Sequence, residues 1–145
     1  MIYLLDTAPW VNSVTISDVI PERIIKLLAR DEPKGVASIS LLETAILHRI
    51  GRLNLEGTLD EFFSAALARD IEILELTPAI AAGTNQLPAD FQGDPFDRTI
   101  VSTARSLGLT LITCDPAIRD SAIRDSEICA VEFYHFKPAR GRARK

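Results

Sequence analysis

Short apolar runs alternate along the chain with segments whose apolar residues recur at helical spacing, and this alternation limits the fold more than any other feature. The runs predict strands at residues 2–5, 36–39, 71–76, 110–113 and 128–131. Consecutive parallel strands need a long crossover connection, which is usually a helix. The sequence therefore predicts an α/β fold, an α/β/α sandwich with a mostly parallel central sheet of about four to five strands.

Helical spacing and capping residues place the helices between these strands. Asp94 is a candidate N-cap, Pro95 suits a first helical position, and Gly108 favours an end after Leu107. A strand-to-helix turn is expected over residues 6–9. The other predicted helices cover residues 17–30, 40–49, 58–70, 78–87 and 117–124.

Length and composition describe one ordinary globular domain. The 145 residues are 47% apolar and 25% charged, and no apolar run is long enough to cross a bilayer. The first apolar stretch is short and has no basic residues ahead of it, so we expect a cytoplasmic protein without a signal peptide. Cys114 and Cys129 lie in apolar stretches and are expected to be buried thiols rather than zinc ligands. The isolated His48 and His135 are assigned no chemistry.

Charge divides the chain into an acidic body and a basic end. The net charge is −4, but residues 137–145 contain five basic and no acidic residues, which leaves about −9 on residues 1–136. We expect a domain over residues 1–136 and a flexible tail over residues 137–145. An acidic body suits divalent cations, and the tail either contacts phosphate or an acidic partner or is simply solvated.

Four acidic residues follow or begin predicted elements near one edge of the predicted sheet. They form the group called here the acidic quartet: Asp6, Glu43, Asp97 and Asp115. Two directly follow strands, and two lie in the first turn of a helix. Because ligands of such sheets collect beyond the carboxyl ends of the strands, we expect all four to face one site.

Each acid also has an ordinary structural role. Asp6 can cap the helix that follows it, and Asp115 is a common turn residue before a proline. Ser40 and Glu43 fit a capping box, and the charge of Asp97 interacts favourably with the dipole at the start of its helix. Together, however, carboxylates without basic partners repel each other unless a cation lies among them. Oxygen ligands suit Mg²⁺ or Mn²⁺, ions that activate water for attack on phosphorus. No Ser or Cys stands in a recognisable nucleophile motif.

The four acids lie in these short sequence motifs: Tyr3-Leu-Leu-Asp-Thr7, Ser38-Ile-Ser-Leu-Leu-Glu43, Asp94-Pro-Phe-Asp-Arg98 and Leu111-Ile-Thr-Cys-Asp115. In this order and spacing the chain resembles the PIN-domain family, specifically its VapC-type toxins of toxin–antitoxin pairs, from residue 1 to about 131. The resemblance implies a single PIN-like domain and an Mg²⁺- or Mn²⁺-dependent endoribonuclease. It also implies an RNA substrate, a cognate antitoxin protein, a homodimer and no membrane.

The resemblance also assigns roles to single residues. The acidic quartet matches the family's metal-binding acids, and Asp94 either assists the metal or caps its helix. Thr7 and Thr113 stand where relatives often place a hydroxyl that binds an acid or water. Arg98 pairs with a carboxylate or meets phosphate, with an exposed ion pair as the rival interpretation.

Two positions depart from the family pattern. Gly93 stands where relatives often have a His, and Cys114 replaces a small or polar residue before the last acid. Neither change removes a ligand of the acidic quartet. We therefore expect activity to be retained, with an effect only on substrate details.

Other functions remain as alternatives. A phosphatase resembling haloacid dehalogenases would need an Asp where Ala8 stands, and a receiver-like domain would need an acidic pair near the first strand and a late Lys. A non-cleaving PIN-like module that holds RNA or protein is the remaining alternative. We also predict that an apolar groove near helices 17–30 and 40–49 receives an antitoxin helix.

Overall fold

The computed structural model of the chain describes residues 1–68, 70–120 and 129–136. All pairings in its five-stranded sheet are parallel, so the predicted α/β class is confirmed. The strand order is β3-β2-β1-β4-β5. The strands are β1 (Tyr3–Leu5), β2 (Lys34–Ala37), β3 (Ile71–Leu74), β4 (Thr110–Thr113) and β5 (Val131–Phe133).

Helices connect the strands and cover both faces of the sheet. Two single turns of 3₁₀ helix, Ser17–Val19 and Thr84–Gln86, lie among them. The α-helices are α1 (Thr7–Val14), α2 (Glu22–Leu28), α3 (Ser38–Arg49), α4 (Leu59–Ala66), α5 (Pro78–Gly83), α6 (Pro95–Leu107) and α7 (Pro116–Arg119).

Neighbouring residues of the central strands belong to opposite faces of the sheet. Leu4 of β1 is fully buried in the apolar cluster that contains Ile100 of α6. Leu5 is buried in the other cluster, with Trp10 of α1 and Ile24 of α2. This alternation is the period-two pattern of a strand that is covered on both sides.

Trp10 joins α1 to α4 on one face of the sheet. Its ring is 1% exposed, stacks on Phe63 at 6.4 Å between centroids and meets the edge of Phe62 at 5.9 Å. The indole N–H donates to the Ala66 carbonyl at 2.9 Å, so the polar atom of this buried ring is satisfied.

The predicted helix over residues 17–30 is wrong in its first part. Pro21 has extended backbone (ψ 153°) and precedes the first residue of α2, so only a 3₁₀ turn lies ahead of it. A proline has no N–H to continue a helix. The predicted second strand is also displaced, because β2 begins at Lys34 and α3 already begins at Ser38.

Several other predicted boundaries need adjustment, whereas α6 is confirmed with both of its ends. The helix predicted over residues 58–70 ends at residue 66, and the one over residues 78–87 ends at residue 83. The strand over residues 71–76 ends at residue 74, and the last strand begins at residue 131 instead of 128. The predicted parts at residues 121–124 and 128 and the tail at residues 137–145 lie outside the described residues.

Both cysteines are partly buried, which affects the pKa of their thiols. Cys114 and Cys129 are half-buried free thiols, so the prediction of buried thiols is met only in part. Burial raises the pKa of both groups, that of Cys129 to about 11. In the described part of the chain, no helix is both long enough and apolar enough to cross a membrane.

Two cavities lie on the side of the sheet that α1, α2 and α4 cover. The larger, of about 910 Å³, is lined by the end of α1, by residues 52–58 and by α4. The smaller, of about 360 Å³, lies beside α2 and includes Ile25, Leu28 and Ile71. Residues of α3 line neither cavity, whereas Ser17, Ile25 and Leu28 of the smaller one belong to the predicted helix 17–30, so the predicted antitoxin groove near helices 17–30 and 40–49 stays a prediction.

Candidate active site

The site lies where β1 and β4 run side by side in the middle of the sheet. The connection after β1 leads to β2 on one side and the connection after β4 leads to β5 on the other, so the strand order reverses between β1 and β4. Asp6 directly follows β1, and its N–H donates to the Ile112 carbonyl of β4 at 3.0 Å. Asp115 follows β4 by two residues. Both acids therefore lie at the crevice where such sheets bind ligands.

Asp6 is held by donors on both of its carboxylate oxygens. The Thr7 N–H donates to Oδ1 at 2.8 Å, and the Thr113 hydroxyl donates to Oδ2 at 2.7 Å. Thr113 also accepts the N–H of Asp115 at 3.0 Å, which couples the two acids. Burial nevertheless raises the pKa of Asp6 to about 6, and the charges of Glu43 and Asp115 add to this effect.

Glu43 comes from the second turn of α3, because the helix begins at Ser38. The expected capping box at Ser40 is therefore wrong, and the first helical turn contains no acidic residue. Burial raises the pKa of Glu43, an effect that the charges of Asp94 and Asp115 increase and the Thr7 hydrogen bond opposes. Thr7 thus contacts an acid, as the resemblance implied.

A short chain of hydroxyl groups supports Glu43. The Thr7 hydroxyl donates to Glu43 Oε1 at 2.6 Å and lies 2.8 Å from the Ser40 oxygen. A hydroxyl has one proton, so Ser40 must donate to Thr7 while Thr7 donates to Glu43. Ser40 is fully buried, and sequence reasoning missed it as a site residue. Its spacing of three residues before Glu43 on one helix was the available signal.

Asp97 enters from the first turn of α6. Asp94 is the N-cap and its carboxylate accepts the Asp97 N–H at 2.9 Å, which fixes the start of the helix. Burial raises the pKa of Asp97 to about 7, and the nearby charges of Asp6, Asp94, Asp115 and Glu43 add to it. The negative charges of the other three members of the acidic quartet therefore disfavour ionisation of the Asp97 carboxylate.

The donor set of the acidic quartet fits a hard divalent cation. All its potential ligands are carboxylate oxygens, and the charges that act on the pKa values of Asp6, Glu43 and Asp97 are all negative. Among the described residues, no three His, Cys, Asp or Glu side chains already stand close enough to form a complete metal site. The structure thus brings the four acids into one electrostatically coupled group without a finished coordination geometry.

Arg98 contacts backbone carbonyl groups and an aromatic ring. Its guanidinium donates to the Thr84 carbonyl at 2.7 Å and the Phe91 carbonyl at 3.3 Å, and it lies 6.0 Å from the centre of the Phe91 ring. These contacts tie the loop before α6 to the end of α5. Arg98 thus stabilises this loop and forms no ion pair with a carboxylate among the described residues, while its contact with phosphate stays a prediction.

Gly93 leaves the space that Asp97 and Phe91 use. A Cβ at this position would lie 2.4 Å from the Phe91 ring and 2.9 Å from the Asp97 Cβ. We expect Gly93→Ala to lower the free energy of unfolding by about 1–3 kcal/mol, since a tightly packed site must shift. Urea unfolding checks this, with Gln92→Ala as the control because Gln92 is exposed in the same loop. Equal effects of the two changes would contradict it.

Sequence comparison finds relatives over most of the chain. The profile of the family described as PIN domain matches residues 3–123. Ribonuclease VapC22 of Mycobacterium tuberculosis is 37% identical over 85 residues, which are 59% of this chain and 65% of the relative. The match thus spans just under two thirds of that relative's length.

Solved structures share the fold. The chain is similar to VapBC2 from Rickettsia felis bound to a promoter DNA fragment, with a TM-score of 0.67 and 19% identity over 92% of this chain and 98% of that one. A toxin–antitoxin complex from Klebsiella pneumoniae gives 0.62 and 18% over 92% and 99%. FitAcB from Neisseria gonorrhoeae gives 0.59 and 24% over 90% and 96%. At these identities the likeness concerns the fold.

Proposed function

This chain belongs to the PIN-domain family, and from that premise we propose that it is a metal-dependent endoribonuclease that acts as the toxin of a toxin–antitoxin pair. The observation that carries the proposal is the convergence of the acidic quartet at the strand-order reversal, where burial and neighbouring carboxylates raise the pKa values of Asp6, Glu43 and Asp97. The relative named Ribonuclease VapC22 supports the RNA substrate.

Mg²⁺ or Mn²⁺ would be held by the acidic quartet. When bound, such an ion supplies Lewis-acid chemistry: it polarises the phosphodiester and favours ionisation of the attacking water. The chain's own part is to hold the carboxylates ready. Thr113 and the Thr7 N–H orient Asp6, and the Thr7 hydroxyl orients Glu43. Asp94 serves by fixing the start of α6.

The partners follow from the same comparison. Structural neighbours described as VapBC and toxin–antitoxin complexes support a cognate antitoxin protein that restrains the nuclease. We further propose that the chain forms a homodimer and that an antitoxin helix occupies an apolar groove on it. The alternative function, a non-cleaving PIN-like module, would have the same fold but would not explain why the chain keeps four mutually repelling carboxylates together.

Cleavage of total RNA by the purified, antitoxin-free chain tests the proposal. We expect discrete fragments with Mg²⁺ or Mn²⁺ and intact RNA with EDTA, because the carboxylates alone offer no nucleophile. Asp97→Asn should give intact RNA in both conditions, whereas Asp31→Asn, an exposed acid before β2, should cleave like the unmodified chain. Intact RNA in every lane, from protein shown to be folded, would favour the non-cleaving module.

A further inference from the structure

Four aromatic residues follow one another over residues 133–136 at the carboxyl end of β5, next to a basic residue of α7; Tyr134 is buried, and the other three are not. The rings of Phe133 and His135 meet edge to face at 5.1 Å between centroids, and the Arg119 guanidinium lies 4.9 Å from the centre of the Phe133 ring. Phe136 is 56% exposed. We call Arg119, Phe133, His135 and Phe136 the β5 aromatic cluster.

This cluster lies beside the acidic quartet. Phe133 is the register partner of Thr113, and in a parallel sheet such partners point to the same face. The Thr113 hydroxyl on that face binds Asp6, and the next N–H of β5, that of Tyr134, donates to the Thr113 carbonyl at 3.1 Å. Arg119 lies one helical turn after Asp115, whose carbonyl accepts its N–H at 3.3 Å. Phe133 and Arg119 therefore flank the site on the β5 side, with His135 packed against Phe133 and Phe136 next to it in the chain.

Arg119, the positively charged residue of the cluster, already has partners within the protein. Arg119 makes a two-pronged ion pair with Asp120, with distances of 2.7 and 3.1 Å, and covers one side of Phe133. Its role is to hold the aromatic residues in place. What the cluster offers to an external ligand is the exposed aromatic surface of His135 and Phe136.

Charge explains why an RNA-cutting site needs such a surface. Residues 1–136 carry about −9, so phosphates are repelled by the body that must bind them. Stacking of a base on an aromatic ring does not depend on that charge and is available with every base. Directly after Phe136 the sequence turns basic, with five Lys and Arg in residues 137–145, which matches a polyanion and not an apolar protein surface.

We propose that the β5 aromatic cluster binds the nucleotides of single-stranded RNA that adjoin the cleaved phosphate, by stacking bases on His135 and Phe136. This inference rests on the proposed nuclease function and adds the residues that bind the bases beside the cleaved phosphate. Paired bases keep their faces inside the helix, so a duplex cannot use such a surface. The cluster thus selects unpaired RNA for the neighbouring acids.

Binding measured without metal tests this separately from cleavage. A fluorescent single-stranded oligoribonucleotide and the same strand annealed to its complement are titrated with the full chain in EDTA. We expect His135→Ala and Phe136→Ala each to weaken single-strand binding about fivefold or more, with no change for the duplex. Leu107→Ala is the matched control, since Leu107 is 49% exposed at the far end of α6.

Unchanged single-strand affinity in both variants would overturn the proposal, as would equal losses for single strand and duplex or no RNA binding by the unmodified chain. Retained RNA affinity with lost antitoxin binding would assign the surface to the protein partner instead. The cleavage assay of the unmodified chain stands apart. If that chain never cuts RNA while the variants lose single-strand affinity, the nuclease function fails and the binding surface remains.

Discussion

Asp6→Asn is expected to reduce RNA cleavage at least about 100-fold and, at the same time, to make the metal-free protein more stable at pH 8. The loss of activity follows because a central member of the acidic quartet loses its charge, and metal-assisted stabilisation of this kind is worth several kcal/mol. The gain in stability follows because the Asp6 carboxylate is buried among other negative charges. An amide of the same shape keeps an acceptor for the Thr7 N–H.

The raised pKa of Asp6 determines in which direction stability changes with pH. The pKa of Asp6 is raised to about 6 in the folded protein from an ordinary value of 3.8, so the folded state holds this proton more tightly. The free energy of unfolding should then fall as pH rises from about 4 to about 6, by on the order of 3 kcal/mol from this group. Asp97, with its pKa raised to about 7, extends the fall toward neutral pH.

Urea unfolding of the metal-free chain between pH 4 and pH 8 checks the prediction. The slope against pH should be smaller for Asp6→Asn than for the unmodified chain, and Mg²⁺ should stabilise the unmodified chain more than the variant. Asp31→Asn, which removes an exposed acid at the opposite edge of the sheet, should change neither activity nor slope. A variant that is less stable than the unmodified chain at pH 8 would contradict the electrostatic argument.

The second large effect concerns Lys34 at the start of β2. We expect Lys34→Met to lower the free energy of unfolding by about 3 kcal/mol, because its ammonium group is almost fully buried. That group pairs with Asp70 Oδ2 at 3.1 Å and donates to the carbonyl oxygens of Arg30 and Glu32, the latter at 2.9 Å. Methionine fills the space of the stem but leaves these acceptors without their donor.

Equilibrium unfolding of paired variants checks this value. Lys26→Met is the control, since Lys26 is exposed and only 3.9 Å from exposed Glu22, and it should change stability by less than about 0.5 kcal/mol. Adding Asp70→Asn to Lys34→Met should restore part of the loss, because the half-buried charge is removed too. A loss for Lys34→Met no larger than that of the control would show that the buried pair adds nothing to stability.

The sequence predicts well the elements whose signals are local. β4 and α6 have the predicted bounds, because an isolated apolar run and a cap of Asp94, Pro95 and Gly108 act on their own neighbours. The α/β class also follows from periodicity alone. The direction of every strand was implied by the crossover helices and needed no knowledge of tertiary contacts.

Tertiary contacts decided what the sequence could not. Lys34 is in a strand and buried because its side chain finds Asp70 and two carbonyl groups, although a charged residue beside a proline indicates a loop. Because β2 ends at Ala37, α3 begins at Ser38, two residues before the predicted start. Ser40 is therefore inside the helix, where its hydroxyl contacts Thr7 near Glu43 instead of capping the helix. Arg98 likewise finds backbone carbonyls of distant residues, a choice that no local pattern encodes.

The pairing of β1 with β4 also sets the time at which the site exists during synthesis. Thr113 holds Asp6 from a position 107 residues further along the chain, and Tyr3 is in register with Thr110. At about 5–20 residues per second, a ribosome needs about 5–20 s between adding the first and the last acid. Throughout that interval the nascent chain contains at most part of the quartet, so a prematurely ended chain that lacks β4 cannot assemble the site.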